Sequence, residues 1–292
     1  MTEKTTGSFD SADDLRKALL EQSYIADRGL STGLYLALAL GRPILVEGEA
    51  GVGKTELARS LAAVTGAELI RLQCYEGIDA SQALYEWDYP RQLLYLRALG
   101  DREAAGEEAV EGLFSERFLV ERPLLAALRA GNRAVLLIDE IDRADDEFEA
   151  FLLEVLSDFQ VTVPEIGSIK AEQPPAVILT SNRTRELHDA LKRRCLYHWI
   201  DYPTLERELE IVRIRAPEVP EALARRVAEA VARIRQLDVA KRPGVAETID
   251  WARAMATLGA TDFDRGVAEE TIGWVAKERE DLELVRESLA DE

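Results

Sequence analysis

The chain has 292 residues and a formal net charge of −19 at pH 7, from 36 basic and 55 acidic residues. At roughly 150 residues per domain, its length allows one large domain or two smaller ones. So large a negative charge repels nucleic-acid phosphate and anionic membrane, which argues against a protein that coats DNA or RNA.

The cysteines and the apolar runs argue against disulfide-rich, zinc-binding, secreted and membrane-spanning proteins. The two cysteines, Cys74 and Cys195, lie far apart and have no closely spaced partner. This excludes a disulfide framework or a zinc site of the CxxC type and fits a reducing compartment. The polar N-terminus lacks the apolar core of a secretory signal. The nearby apolar run Leu34–Leu40 is far shorter than the ~20 residues of a membrane helix. We therefore expect a cytoplasmic protein without a membrane span.

The expected elements alternate between helix and strand. A helix is predicted from Ser11 to Leu40, with Asp10 or Ser11 as its N-cap. The later predicted segments are a strand at 43–46, a helix at 55–65, a strand at 68–72, a strand at 134–138, a helix at 148–159, and strands at 176–179 and 196–200. The uninterrupted apolar run Ala134–Ile138 is typical of a central parallel strand covered on both faces. Together these elements predict an α/β fold with a doubly wound parallel sheet.

Two segments interrupt this alternation, and the pattern changes near Pro203. Residues 85–113 are predicted to form an insertion with helix or hairpin structure, and 161–171 to form a β-hairpin. After Pro203 the periodicity is helical only, with breaks near Pro217, Pro220, Pro243 and Gly259. We predict an α/β domain over 1–203 and a small all-helical domain over 204–292.

A phosphate-binding loop is predicted at Gly48–Thr55, which reads Gly-Glu-Ala-Gly-Val-Gly-Lys-Thr and matches G-x-x-x-x-G-K-[ST] at every fixed position. Glycines let backbone N–H groups turn toward phosphate oxygens, and the following helix presents its positive end. Lys54 is expected to bind the β- and γ-phosphates, and the Thr55 hydroxyl to ligate Mg²⁺. The residues predicted to bind ATP are Glu49, Ala50, Gly51, Val52, Gly53, Lys54, Thr55, Glu56 and Asp139.

Polar residues at the ends of two later strands complete the expected chemistry. Asp139 ends an apolar strand and is predicted to hold Mg²⁺ through water, while Glu140 polarises the attacking water. Asn182 follows the strand at 176–179 and is predicted to orient that water or the γ-phosphate. In isolation, these residues fit ordinary turns at strand ends, but the upstream loop favours the catalytic interpretation.

A pair of arginines follows Asn182. Arg193 and Arg194 end a predicted helix, where they would complement the helix dipole. Alternatively, one of them contacts the γ-phosphate bound to a neighbouring subunit, as an arginine finger. Arg194 is the preferred finger, and Arg193 is the alternative.

Together these motifs resemble an AAA+ ATPase, with the P-loop NTPase fold and a helical lid. The sequence is more narrowly similar to the MoxR group, and within it to the CoxD-like branch associated with carbon monoxide dehydrogenase maturation. The resemblance extends from about Tyr24 to Leu258, and its closest segments are Ile44–Glu56, Asp139–Ala144 and Leu191–Pro203.

The resemblance implies a ring-forming, usually hexameric, chaperone-like ATPase. It places a helix-2 insert near 85–113 and a hairpin near 161–171, before the strand that bears Asn182. It also implies a separate von Willebrand A-domain partner and a client metalloenzyme, possibly a molybdenum-containing dehydrogenase. Since this chain has no D-x-S-x-S sequence, that partner would be another polypeptide.

One stretch departs from the pattern of the family. Related proteins often carry a nucleotide-sensing arginine on a lid helix, where this chain has Ala246. Either Lys241 or Arg242, in the loop before this helix, replaces the nucleotide-sensing arginine, or both residues lie in a solvated loop that connects two helices.

Other distinctive residues are assigned structural roles. His188, expected in a charged helix, and His198, expected in a strand, lack partners at metal-ligand spacing, and the two cysteines fit buried small residues. Trp251 and Trp274 are expected in the core of the helical domain.

Three classes of function remain from the sequence. The leading one is an ATPase that remodels a protein client. The second is a nucleotide-gated assembly protein with little turnover, against which the presence of Glu140 argues. The third is a nucleic-acid motor, which the net charge and the lack of an aromatic-rich basic patch make less favourable.

Overall fold

The computed structural model describes residues 9–99 and 112–290. These residues form two compact units. The first contains 9–15, 27–46, 61–99 and 112–198, and the second contains 16–26, 47–60 and 199–290. The sequence-predicted boundary at Pro203 stays a prediction.

The regular elements follow in chain order. The strands are β1 (Ile44–Gly48), β2 (Glu68–Gln73), β3 (Tyr85–Trp87), β4 (Leu119–Glu121), β5 (Ala134–Asp139), β6 (Gln160–Val163), β7 (Gly167–Lys170), β8 (Ala176–Ser181) and β9 (Leu196–Ile200). The helices up to β9 are α1 (Ala12–Glu21), α2 (Arg28–Leu40), α3 (Lys54–Thr65), α4 (Ala80–Leu84), α5 (Tyr89–Leu99), α6 (Pro123–Ala130), α7 (Asp146–Asp158) and α8 (Asp189–Arg194). The later helices are α9 (Leu205–Arg215), α10 (Glu221–Ile234), α11 (Val245–Thr257), α12 (Arg265–Thr271) and α13 (Arg279–Ala290).

The central sheet has the strand order β2-β5-β8-β1-β9. The pairs β2–β5 and β5–β8 are parallel, with Gln73 opposite Asp139 and Ile138 opposite Leu179. Every residue of β1 and β5 is buried, as expected for strands covered on both faces. The predicted α/β fold with a parallel sheet is therefore confirmed.

The single helix predicted over Ser11–Leu40 is wrong, because two helices occupy that range. Ser23 has a left-handed φ of 61°, which ends the first helical stretch. The Asp27 carboxylate then accepts a hydrogen bond from Leu30 N at 2.7 Å and caps α2. At the start of α1 the cap is Ser11, whose Oγ accepts from Asp14 N at 3.1 Å.

Each predicted insertion contributes to a short two-stranded sheet. In the first, β3 pairs with β4, which lies after the predicted end of the insertion at residue 113, and α5 follows β3. The remainder of this predicted insertion, 100–111, lies outside the described residues. In the second, β6 and β7 form the predicted hairpin, with Val161 opposite Ile169.

From Thr204 onward, the described residues contain helices and no strand, as predicted. Trp251 is fully buried in their core, and its Nε1 donates to Thr271 Oγ1 at 2.8 Å. The prediction that Trp274 is also a core residue is wrong, since 44% of its surface is exposed.

Candidate functional site

The phosphate loop follows β1 and leads directly into α3. Gly51 and Gly53 have φ angles of 76° and 96°, a region that glycine adopts without steric cost. Lys54 is the first residue of α3, and its Nζ donates to the carbonyl oxygens of Gly48 and Glu49, both at 2.7 Å. The loop therefore holds the ammonium group against its own backbone, with Lys54 only 7% exposed.

Helices α9 and α11 contact this loop and its helix within the second unit. Gly51 O accepts hydrogen bonds from Val245 N at 3.0 Å and Ala246 N at 3.3 Å. Arg215, at the end of α9, forms an ion pair with Glu56 at 2.6 Å. Sequence analysis missed Arg215, since only the folded structure brings this residue to the start of α3.

The two candidate substitutes for a lid arginine, Lys241 and Arg242, are both exposed. Asp281 holds the backbone of their loop, accepting from Ala240 N at 2.8 Å and Lys241 N at 3.2 Å. Their role in nucleotide sensing stays a prediction. Ala246 lies in the first turn of α11.

Asp139 lies at the end of β5 in the first unit and is almost fully buried. Its Oδ1 accepts from Thr180 Oγ1 at 2.5 Å, and its Oδ2 accepts from Arg71 Nε and Nη2 at 3.0 and 2.6 Å. Neighbouring strands β8 and β2 supply these two donors. Sequence analysis missed Thr180 and Arg71 because strand order and register decide which side chains meet Asp139.

Glu140 follows Asp139 with a left-handed φ of 55° and a partly exposed side chain. Its Oε2 accepts a hydrogen bond from Gln73 Nε2 at 3.1 Å and forms an ion pair with Arg143 Nε at 3.0 Å. Its backbone N donates to Thr180 Oγ1 at 3.0 Å. The same threonine hydroxyl thus connects Asp139 to the residue after it.

The segment after β8 is fixed by a buried carboxylate. Asp142 Oδ2 accepts from Asn182 N at 3.2 Å, Thr184 N at 2.9 Å and Thr184 Oγ1 at 2.7 Å. The backbone of Asn182 is therefore tied to the turn that carries Glu140. The structure thereby brings three predicted residues, Asp139, Glu140 and Asn182, to the ends of adjacent strands β5 and β8.

The two candidate finger arginines are exposed at the end of α8. Arg194 Nε donates to Ser157 Oγ of α7 at 2.5 Å, and its Nη1 donates to Ala190 O at 3.3 Å. Arg193 has no recorded side-chain bond within 9–99 and 112–290. Arg194 is thus oriented by its own subunit, whereas Arg193 is not.

The cysteines and histidines occupy structural positions. Burial raises the pKa of Cys74 to about 12, with a contribution from the negative charge of Asp139, and burial likewise raises the pKa of Cys195 to about 12. His198 lies in β9 as expected, but His188 immediately precedes α8 instead of lying within a helix. Its backbone N donates to the buried Glu149 carboxylate at 2.9 Å.

The parallel sheet, the glycine loop that opens α3 and the acidic end of β5 together define a P-loop NTPase fold. A family model described as the AAA domain of the dynein-related subfamily matches residues 43–195, more than half of the chain. The chain belongs to this AAA family.

The chain is also similar to uncharacterised staphylococcal proteins. An uncharacterised protein of Staphylococcus haemolyticus is 29% identical over 192 residues, covering 63% of this chain and 65% of the relative. One from Staphylococcus epidermidis is 29% identical over 170 residues, covering 56% of this chain and 57% of the relative. The chain therefore matches less than two thirds of the length of each.

Among solved structures, two mutant forms of RuvB from Thermotoga maritima are similar to this chain. The first has a TM-score of 0.51 and 18% sequence identity, and the match covers 92% of this chain and 72% of the RuvB chain. The second has a TM-score of 0.52 and 20% sequence identity, and the match covers 88% of this chain and 72% of the RuvB chain. At these identities the similarity shows the fold alone. Within the described ranges, no helix is both long and apolar enough for a membrane crossing.

Proposed function

We propose that this protein is a Mg-ATP-hydrolysing AAA+ ATPase of the MoxR group. The observation that carries the proposal is the anchored carboxylate of Glu140. Gln73 and Arg143 hold its Oε2 immediately after the strand that ends in Asp139. A protein that only binds nucleotide has no need of a positioned base, whereas hydrolysis requires one.

Each site residue has a role that fits its chemistry. Lys54 and the loop amides bind the phosphates. Phosphate oxygens would then take the place of the two carbonyl oxygens as hydrogen-bond acceptors of the Lys54 ammonium group. The Thr55 hydroxyl and the Asp139 carboxylate are oxygen donors of the kind that Mg²⁺ takes, Asp139 through water. Glu140 accepts a proton from the attacking water, and Asn182 orients that water. Catalysis here requires positioning and charge neutralisation more than covalent chemistry.

Assembly into a ring, with six subunits as in most MoxR-like proteins, would complete the site. The exposed arginines at the end of α8 are suited to reach a neighbouring subunit, and Arg194 is the proposed finger. The α/β domain is taken as 1–203 and the helical lid as 204–292.

The cellular role proposed is a cytoplasmic chaperone that matures a client metalloenzyme with a von Willebrand A-domain partner. The motif resemblance to the CoxD-like branch supports this role and suggests a molybdenum-containing dehydrogenase as client. The β6–β7 hairpin and strand β3 fall near 161–171 and within 85–113, the ranges expected for the insertions of that group, which supports the proposal.

The test is the specific ATPase rate per subunit against protein concentration, with Mg²⁺ present. A rate that rises with concentration is expected if the site is completed in trans. Lys54→Ala should abolish ATP binding, and Glu140→Gln should keep binding but abolish turnover. Tight ATP binding by Lys54→Ala would contradict the role of the loop. Binding without turnover in the wild type, alone or with its partner, would favour the nucleotide-gated assembly protein.

A further inference from the structure

The first turn of α11 contacts the middle of the phosphate loop through backbone hydrogen bonds. Gly51 O accepts from Val245 N and Ala246 N, the first two residues of the helix, at 3.0 and 3.3 Å. The N–H groups of a first helical turn have no partner inside the helix. Here a carbonyl of the loop satisfies two of them, so the loop serves as part of the cap of α11.

This approach depends on two facing glycines. A Cβ on Gly244 would lie 2.6 Å from Gly51 Cα and 2.7 Å from Ala50 O, both of them backbone atoms that cannot move aside cheaply. A Cβ on Gly51 would lie 2.7 Å from Glu247 Oε2. That same oxygen accepts from Gly244 N at 3.0 Å. The contact is thus closely packed on both sides.

A buried ion pair holds the turn that precedes α11. Arg235 Nε donates to Pro243 O at 2.7 Å, and its two terminal nitrogens donate to the Glu208 carboxylate at 2.6 and 2.7 Å. The Glu208 carboxylate also accepts from Thr248 Oγ1 at 2.5 Å. The position of Gly244 is therefore set by the interior of the helical region.

Covalent geometry links this contact to phosphate binding. In a trans peptide, the carbonyl of one residue and the N–H of the next point in opposite directions. Gly51 O points to α11, so the N–H of Val52 points away from that helix. Val52 belongs to the loop whose amides bind phosphate in this motif.

We propose that the first turn of α11 is a positioning element that presets the Gly51–Val52 peptide, so that Val52 N–H is oriented for phosphate before nucleotide arrives. This inference rests on the proposed nucleotide binding. The helical region then communicates with the nucleotide through the backbone of the loop. Because coupling is reciprocal, nucleotide should also strengthen the contact of α11 with the loop.

The test breaks the contact between α11 and the loop while keeping the helix. Val245 is the first residue of α11, a position where proline fits a helix and where its missing N–H costs no intrahelical bond. Gly244 already has φ −83° and ψ −175°, the extended backbone that a residue before proline adopts. Val245→Pro therefore deletes the donor and places its Cδ against Gly51 O, which forces the loop away from the first turn of α11. Val245→Ala is the control that keeps the N–H and shortens the side chain.

Binding of ATP and ADP is measured by fluorescence titration on the full chain. Val245→Pro should weaken both nucleotides about tenfold, or ~1.4 kcal/mol, with Val245→Ala within about twofold of wild type. Gly244→Ala should weaken nucleotide binding by about the same factor as Val245→Pro. Its control is Gly273→Ala, because a Cβ on Gly273 meets no atom within 4 Å.

A folded Val245→Pro protein that binds nucleotide as tightly as wild type would overturn the proposal. A second readout needs no variant: saturating ADP should slow hydrogen exchange at the amides of Val245 and Ala246 in the wild type. Unchanged exchange would also overturn the proposal. If the wild type binds neither ATP nor ADP, the proposed function itself is wrong. If the wild type binds nucleotide and Val245→Pro binds it equally well, only the positioning role of α11 is wrong.

Discussion

The Nε2 of Gln73 donates a hydrogen bond to Glu140 Oε2 at 3.1 Å. Gln73 ends β2 and lies opposite Asp139 in the parallel register of β2 and β5. The residue that would activate water is thus oriented by a side chain from the neighbouring strand. Arg143 contacts the same oxygen from the turn that follows, at 3.0 Å.

Gln73→Ala should lower kcat and leave ATP affinity unchanged, because it removes a contact to the base and none to the phosphate loop. A misplaced reacting group costs up to about a hundredfold in rate, so we expect a loss of roughly ten- to a hundredfold. Steady-state ATPase kinetics and equilibrium ATP titration separate the two quantities. Gln236→Ala, at an exposed position on the helical region, is the control. A variant with normal kcat would show that Glu140 needs no orientation by Gln73.

Arg194→Ala should lower kcat by about a thousandfold or more if this arginine acts in trans as a finger. Arg194 is preferred because Ser157 Oγ and Ala190 O already restrict its guanidinium, which reduces the entropy lost on contact with phosphate. Arg193→Ala is the matched variant on the same helix end. A larger loss with Arg193→Ala would reverse the assignment.

Mixing variants tests whether the site is shared between subunits. Arg194→Ala protein keeps Glu140, and Glu140→Gln protein keeps Arg194. In mixed rings, some interfaces combine the intact glutamate of one subunit with the intact arginine of another. ATPase activity should therefore return on mixing, and two inactive proteins that stay inactive together would argue against a finger acting in trans.

Residues that belong to sequence motifs were predictable, whereas their supporting partners were not. Lys54 and Asp139 follow from local patterns, because phosphate and metal chemistry demands those residue types at fixed places after a strand. Arg71 has no such signal, since its contact with Asp139 depends on the pairing of β2 with β5. Close approach of Gly244 to Gly51 likewise exists only in the folded chain.

Errors in the predicted elements have equally specific causes. The break between α1 and α2 lacks Gly or Pro, and it depends on the left-handed φ of Ser23 and on the cap by Asp27. Trp274 was assigned to the core on hydrophobicity. In the structure the ring is exposed, and Lys277 Nζ lies over it, 5.6 Å from its centroid.

Arg235→Ala should destabilise the protein by about 3–5 kcal/mol, the cost of leaving a buried partner charge uncompensated. The side chains of Arg235 and Glu208 are only 9% and 1% exposed. Urea unfolding followed by circular dichroism measures the change in free energy. The control is Arg265→Ala, which breaks an exposed pair with Glu269 and should cost less than about 1 kcal/mol. Equal effects of the two substitutions would contradict the structural importance of the buried pair.

Stability should also fall below about pH 6.5 because of His198. Burial lowers the pKa of this imidazole from its ordinary value of 6.5, and the nearby Asp27 carboxylate opposes that shift only in part. Its Nε2 is buried without a hydrogen-bond partner in the described part of the chain, and it lies 3.9 Å from Asp27 Oδ2. A proton on the ring would therefore place a poorly solvated charge in the folded protein.

The sign of the effect follows from proton uptake. Below the ordinary pKa, the unfolded chain binds a proton at His198 that the folded chain does not, so acidification favours unfolding. We expect the free energy of unfolding to drop between about pH 7.5 and about pH 5.5, and to drop less in His198→Gln. Since the sequence has two histidines, His188→Gln, at a mostly exposed side chain, is the matched control substitution. Urea unfolding at a series of pH values measures how steeply the free energy of unfolding changes with pH. The same pH dependence in the wild type and in His198→Gln would contradict a neutral, buried His198.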